Sequence, residues 1–190
     1  IFVDLNIFPL VEKLVPNLPC VKHVVLMCGR DDMPRDHSLP HLHCYEELVE
    51  AENGQYDWPT FDENTAASIC YTSGTTGNPK GAVYSHRSSV LHAFASALPD
   101  AMCIKATDVI LPVVPMFHVN AWGIPYSTAL VGCKLVMPGH HLDGASLYEL
   151  FESEKVTMSA GVPTIWLGLL NHVKVNGLKF STFKTTVIGG

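Results

Sequence analysis

The chain has 190 residues, 47% of them hydrophobic and 16% charged, the composition of a folded globular protein with a substantial core and not of a disordered chain. A formal net charge of -6 without any basic run argues against nucleic acid as the main partner. No apolar stretch approaches the ~20 residues of a membrane span, and the opening Ile-Phe-Val-Asp-Leu-Asn lacks the basic region of a signal peptide.

Taken in order, residues 1–5 read as a strand, Asn6 as the cap of a helix over 7–15, and Pro16 as its stop. The β-branched run 23–28 predicts a strand, and the charged, proline-containing stretch 29–40 a loop. Residues 45–51 predict a short helix with Tyr45, Leu48 and Val49 on one face, and 52–64 an exposed connector. Strands over 66–71 and 82–84 bracket a glycine-rich loop. Ser85 then caps a helix over 86–98 in which Val90, Leu91, Phe94 and Leu98 form one stripe. A strand over 108–114 leads to an apolar helix over 121–131, with Pro125 near its start. A strand at 134–137 precedes a helix over 145–155, capped by Asp143, with Leu147, Leu150 and Phe151 facing inward. Strand 156–160, helix 163–173 and strand 185–188 complete the series. Strands alternating with helices predict an α/β fold built on a doubly wound, largely parallel sheet.

Cys20, Cys28, Cys44, Cys70, Cys103 and Cys133 form no Cys-x-x-Cys pair, and several fall in strand-like runs, as reduced core thiols of a cytoplasmic protein do. His37, His41, His43 and Cys44 bring nitrogen and sulfur donors together in sequence, but Pro40 breaks any shared helical face and the segment reads as loop. His140-His141 reads as a surface turn. Neither Gly-x-Ser-x-Gly nor His-Glu-x-x-His occurs.

The stretch 71–87 dominates the chain: Tyr-Thr-Ser-Gly-Thr-Thr-Gly-Asn-Pro-Lys-Gly-Ala-Val-Tyr-Ser-His-Arg. Gly74, Gly77 and Gly81 free the backbone to approach a ligand, Thr72, Ser73, Thr75 and Thr76 add hydroxyls, and Lys80 adds a cation. Successive amides beside a lysine suit phosphate. It is not a Walker A loop, because Asn78-Pro79 separates Gly77 from Lys80 and Gly81 follows the lysine. Two further stretches stand at predicted strand ends, where ligands of open α/β sheets bind. Pro-Met-Phe-His-Val-Asn-Ala-Trp-Gly, residues 115–123, offers His118 and Trp122 either as ordinary packing or as a pocket wall. Gly161-Val162-Pro163-Thr164 is a strand–helix turn whose Pro163 at the first helical position is structurally sufficient by itself.

Residues 71–87 resemble, nearly position for position, the phosphate-binding signature of the adenylate-forming acyl-CoA synthetase superfamily. Residues 115–123 resemble that superfamily's next motif in order and spacing, and 161–164 resemble a segment typical of fatty-acyl-CoA synthetases. The resemblance covers essentially the whole chain. It implies that Thr72, Ser73, Gly74, Thr75, Thr76, Gly77 and Lys80 bind ATP phosphates and that Thr75 gives a hydroxyl to Mg²⁺. It places His118 beside the substrate carboxylate, with Lys80 and His118 as the catalytic pair. Val119, Trp122, Gly161, Pro163 and Thr164 join His118 around the acyl group, and Gly189 and Gly190 lie on the adenine side. The implied partners are a carboxylic acid, ATP and coenzyme A, and the implied reaction is acyl-adenylate formation followed by thioester formation.

Amino-acid-activating members carry an aspartate after the phenylalanine. Here that place is His118 and no acid occurs from Met116 to Tyr126, so a buried substrate ammonium would lack a counter-charge. A medium- or long-chain fatty acid is the leading expectation. An aryl or short acid, including a thioether acid, is the alternative, and a non-catalytic phosphate-binding module the reading from a different class. Opening without methionine on one strand and stopping at another, the chain reads as a piece of a longer polypeptide, and the resemblance implies that this piece is the middle of a large N-terminal domain. Residues 1–64 form its leading α/β segment and connector, and 65–190 its phosphate-loop and acyl-pocket portion. The later Tyr-Gly-x-Thr-Glu motif, a ribose-binding aspartate and a mobile C-terminal domain are not among the 190 residues, so this piece alone is expected to complete neither half-reaction.

Overall fold

A computed structural model describes residues 1–72 and 77–190. The chain divides into two compact units, Ile1–Thr60 and Phe61–Gly190. In the first, β1 (Phe2–Val3), β2 (Val24–Leu26) and β3 (Leu42–Cys44) form a parallel sheet in the order β1-β2-β3. Helices α1 (Phe8–Leu14) and α2 (Tyr45–Glu50) accompany it. Val3, Phe8, Val24, Leu26 and Leu39 make its core.

Two expectations for this unit need correction, though Pro16 ends α1 as expected: the α-helix closes at Leu14 and Pro16 sits in the first turn of a 3₁₀ segment, Val15–Asn17, where a missing N–H costs nothing. The cap of α1 is Ile7 and not Asn6, and no side chain closes it. Leu42–Cys44, read as loop, is a strand, because β2 offers it an open ladder edge. His43 hydrogen-bonds there to the His23 ring at 2.9 Å. The predicted face of α2 forms, yet Leu48 and Val49 remain exposed.

The second unit carries the larger sheet, four parallel strands in the order β7-β6-β8-β9: β6 is Val109–Pro112, β7 Lys134–Leu135, β8 Met158–Gly161 and β9 Thr185–Ile188. Side chains of β6 and β8 alternate between two cores, as the pleat requires. Ile110, Met158 and Ala160 face Ala121 and Ile124, the latter opening helix α4 (Ile124–Val131). Leu111 and Val113 face Leu147 and Phe151 of α5 (Gly144–Ser153) and Trp166 and Leu169 of α6 (Pro163–Val175). Phe151 and Leu147 are wholly enclosed, each such burial contributing about 1.5–3 kcal/mol. Helices thus cover both faces of a parallel sheet, the doubly wound α/β arrangement expected. Asp143 caps α5 through its Oδ1, which accepts from the backbone N–H of Ala145 and of Ser146 at 3.0 Å. Pro163 occupies the first turn of α6.

Ahead of this sheet, β4 (Ala66–Thr72) and β5 (Lys80–Ser85) pair antiparallel as a separate two-stranded ribbon, an exception to the parallel pattern that a hairpin connection forces. Helix α3 (His86–Ala97) follows, closed by a capping box between Ser85 and Ser88. The expected stripe forms, and the fold leaves it uncovered. Val90, Leu91, Phe94 and Leu98 point outward, while Ala93 and Ser96 are buried. α3 packs on α4, and small residues at Ala93 and Ser96 allow the two backbones to approach.

Candidate active site

All strands of the larger sheet run parallel, so their carboxyl ends share one edge, and the segments leaving them converge there. The order β7-β6-β8-β9 sends the chain from β6 outward to β7 and back past β6 to β8, which makes the β6/β8 edge the crevice of the fold. Residues 113–118 leave β6, Gly161 and Val162 leave β8, and Gly189 and Gly190 leave β9.

These segments touch. A β-carbon added at Gly189 would stand 3.1 Å from the Trp122 ring, and one at Gly190 would stand 3.1 Å from Val162 Cγ1. At Gly161 it would meet Trp166 Cζ2 at 2.9 Å and Val113 at 3.3 Å. The Trp166 indole N–H donates to the Gly161 carbonyl at 3.1 Å, fixing the turn before α6. Pro163 and Thr164 are exposed at the start of that helix. His118 is exposed as well, its backbone N–H donating to the Pro115 carbonyl at 3.1 Å.

Between His118 and α4 the backbone is unusual. Val119, Asn120, Ala121 and Trp122 have φ of 50°, 51°, 51° and 55°, a left-handed turn closed by Gly123 at 70°. For residues with a β-carbon this conformation costs about 1–2 kcal/mol each, most of all for a β-branched residue such as Val119. The sequence reading assigned 121–131 to one helix, and the left-handed turn delays its start to Ile124. Ala121 is fully buried, and the Asn120 side chain bridges to β4: Nδ2 donates to Ser68 Oγ at 2.9 Å, and Oδ1 accepts from Cys70 Sγ at 3.4 Å.

The hairpin register sets Thr72 opposite Lys80 and Cys70 opposite Ala82. Alternate residues of a strand share a face, so Thr72 and Lys80 lie on the face that Ser68 and Cys70 present to Asn120, about 7 Å along the strand from Cys70. The left-handed turn and Lys80 therefore stand on the same side of the hairpin. Gly77 has φ of 91°, a value few other residues adopt. Gly81 plays a different part from that expected. Its φ is not positive, and it sits in β5 where a β-carbon would strike Ile69 Cγ2 at 2.9 Å. Ser73, Gly74, Thr75 and Thr76 lie outside the described residues, and with them the Mg²⁺ assignment to Thr75. Among the described residues no group of three or more His, Cys, Asp or Glu side chains could hold a metal ion.

A cavity of about 220 Å³ opens beside the turn. Val119, Trp122 and Tyr126 border it from one side, and Tyr84, Ser89 and His92 from the other. His92 packs so closely on Gly123 that a β-carbon there would come 2.5 Å from its Nδ1. Of the expected acyl-pocket residues only Val119 and Trp122 border this cavity. Gly161, Pro163, Thr164 and His118 do not. Tyr84, His92 and Asn120 went unread in the sequence. Asn120 carried a usable signal, as the one residue in its run at home at positive φ.

Among the described residues no helix is long and apolar enough to cross a membrane, and all six cysteines are free. Residues 7–190 match the family model of the AMP-binding enzymes. The chain is 50% identical, over all 190 residues, to the 3-methylmercaptopropionyl-CoA ligase of Ruegeria lacuscaerulensis and also to the medium-chain-fatty-acid–CoA ligase of Ectopseudomonas oleovorans. In both cases it spans 35% of the relative's length. The solved structure of an anthranilate CoA ligase with anthranoyl-AMP matches 98% of the chain, and the chain 35% of it, with a TM-score of 0.82 at 20% identity, a likeness of fold. The fold, the hairpin motif and these matches agree: the chain belongs to the AMP-binding enzyme family.

Proposed function

We propose that this chain is the phosphate-loop and acyl-pocket part of an ATP-dependent acyl-CoA ligase acting on a medium- or long-chain fatty acid. The observation that carries the reading is the shared side of the hairpin: Lys80 lies on the face to which Asn120, in the turn that follows His118, is hydrogen-bonded. Relatives identical at half of this chain's positions are named for acyl-CoA ligation.

In this reading a carboxylate oxygen of the acid attacks the α-phosphorus of ATP, and the bond to pyrophosphate breaks. The thiol of coenzyme A then attacks the acyl carbon, losing its proton as AMP departs. Two anions must meet in the first step, so positioning and charge neutralisation do most of the work. Lys80 sits at the β- and γ-phosphates with the hydroxyl of Thr72 and the amide of Gly77, joined by the loop residues Ser73 to Thr76. His118 orients the carboxylate. Val119 and Trp122 border the acyl chain, with Gly161, Pro163 and Thr164 at its rim, and Gly189 and Gly190, packed against Trp122 and Val162, lie on the adenine side. Mg²⁺, when bound with the nucleotide, supplies further neutralisation at the phosphates, with Thr75 as its protein hydroxyl. We place the enzyme in the cytoplasm on its free, partly buried thiols.

The cavity of about 220 Å³ presents mostly apolar surface from Val119, Trp122, Tyr126 and Tyr84, which suits an apolar acyl group. A short thioether acid is the second reading, favoured by the 3-methylmercaptopropionyl-CoA ligase relative. Carboxylate-dependent ATP–pyrophosphate exchange by the full-length protein decides among them, across acids from acetate to palmitate with 3-methylmercaptopropionate and benzoate. Exchange that peaks with medium or long aliphatic acids is the expected result. A peak at the thioether acid promotes the second reading, and no exchange from folded protein overturns both.

A further inference from the structure

We propose that Asn120 is a positioning residue, a strut that holds the acyl-side turn in register with the phosphate-loop strand. The inference rests on the reading of Val119 and Trp122 as acyl-pocket residues. Four successive residues with φ between 50° and 55° form a turn that L-amino acids do not keep by intrinsic preference. Something outside the turn must hold it. Burial of Ala121 anchors its middle from one side, and the Asn120 amide anchors it from the other. That amide uses both ends, donating to Ser68 Oγ at 2.9 Å and accepting from Cys70 Sγ at 3.4 Å.

Both partners belong to β4, the strand that runs on into the phosphate loop. The strut therefore fixes the distance between two half-sites that must present their substrates to each other, the acid on the turn and the nucleotide on the loop. Without it the turn is free to relax toward right-handed backbone. Trp122, two residues on, then loses its place against Gly189 and the cavity. Asn120 touches neither reacting atom in this account and acts through its neighbours.

The test uses the full-length enzyme with Asn120→Gly, Ser68→Ala, the double variant and Trp122→Ala. Glycine accepts positive φ freely, so Asn120→Gly deletes the strut without adding backbone strain. Misplacing the acid relative to ATP raises its KM by roughly tenfold, while the KM for ATP and the thermal midpoint stay near the parent values. Ser68→Ala moves acid KM in the same direction, and the double variant is no worse than Asn120→Gly alone, because both remove one bridge. An acid KM unchanged in Asn120→Gly but raised in Trp122→Ala overturns the strut and leaves the pocket reading standing. An acid KM unchanged in Trp122→Ala overturns the pocket reading and the strut with it. Additive effects of Ser68→Ala and Asn120→Gly, or a parallel loss of both KM values and of the thermal midpoint, reduce Asn120 to ordinary packing and also overturn the inference.

Discussion

Gly189 meets the edge of the Trp122 indole, leaving no room for a side chain between β9 and the left-handed turn: a β-carbon there would stand 3.1 Å from Cη2. The same indole borders the cavity. Gly189→Ala pushes the ring by a few tenths of an ångström toward the cavity, which shortens it. The expected outcome is a loss of about tenfold in kcat/KM for the longest accepted acid relative to a short one, the scale of a methylene or two in an apolar pocket. Steady-state kinetics across an acid series check this, and a uniform change at every chain length would separate Gly189 from the pocket.

Gly161 is enclosed by Trp166 and Val113, and Trp166 is itself held by its N–H on the Gly161 carbonyl. Trp166 is 6% exposed and cannot swing aside. Gly161→Ala is expected to destabilise the protein by about 1–3 kcal/mol, the usual range for an overpacked core. Urea unfolding measures it directly.

Lys80 lies at the exposed start of β5, opposite Thr72. Removing its cation leaves packing untouched, so Lys80→Ala should change stability by no more than about 0.5 kcal/mol. Adenylation should slow by on the order of 10²–10³, as when one preorganised donor to a developing charge is lost. Pyrophosphate exchange measures the rate, and an unchanged rate would remove Lys80 from the mechanism.

Asp143 links α5 to pH. The Ser146 hydroxyl first, then the backbone N–H groups of Ser146 and Ala145, hold its carboxyl below the ordinary Asp range. A depressed folded-state pKa contributes stability that is complete above the ordinary Asp value and is lost as pH falls through the depressed one. The protein should therefore be more stable than Asp143→Asn at neutral pH, with the gap closing in acid as Asp143 takes up its proton. Thermal midpoints of both proteins from pH 7 downward test the sign. A gap that widens in acid would contradict it.

Local chemistry written in short spans was legible before the fold. Ser85 and Asp143 cap where their hydroxyl and carboxylate precede helical runs, and Pro163 opens α6 because a first turn needs no N–H there. Strand and helix alternation disclosed the parallel sheet, and the motif spacing from Tyr71 to Trp122 carried the family resemblance. What tertiary structure alone decided depended on partners distant in sequence. The stripe of Val90, Leu91, Phe94 and Leu98 announces a helix but not which side is covered, and close approach to α4 selected Ala93 and Ser96 instead. Gly81 looked like a residue chosen for backbone freedom until the Ile69 and Tyr71 side chains across the hairpin showed that it is chosen for room. The left-handed turn at Val119–Trp122 left a local trace only at Asn120: no local preference produces its other three positive φ values, and the turn exists because Ser68 and Cys70, some fifty residues earlier, hold the Asn120 amide. Short-range caps and periodicities follow from the chain's own covalent neighbours, whereas strain persists only where the assembled fold supplies the contacts that sustain it.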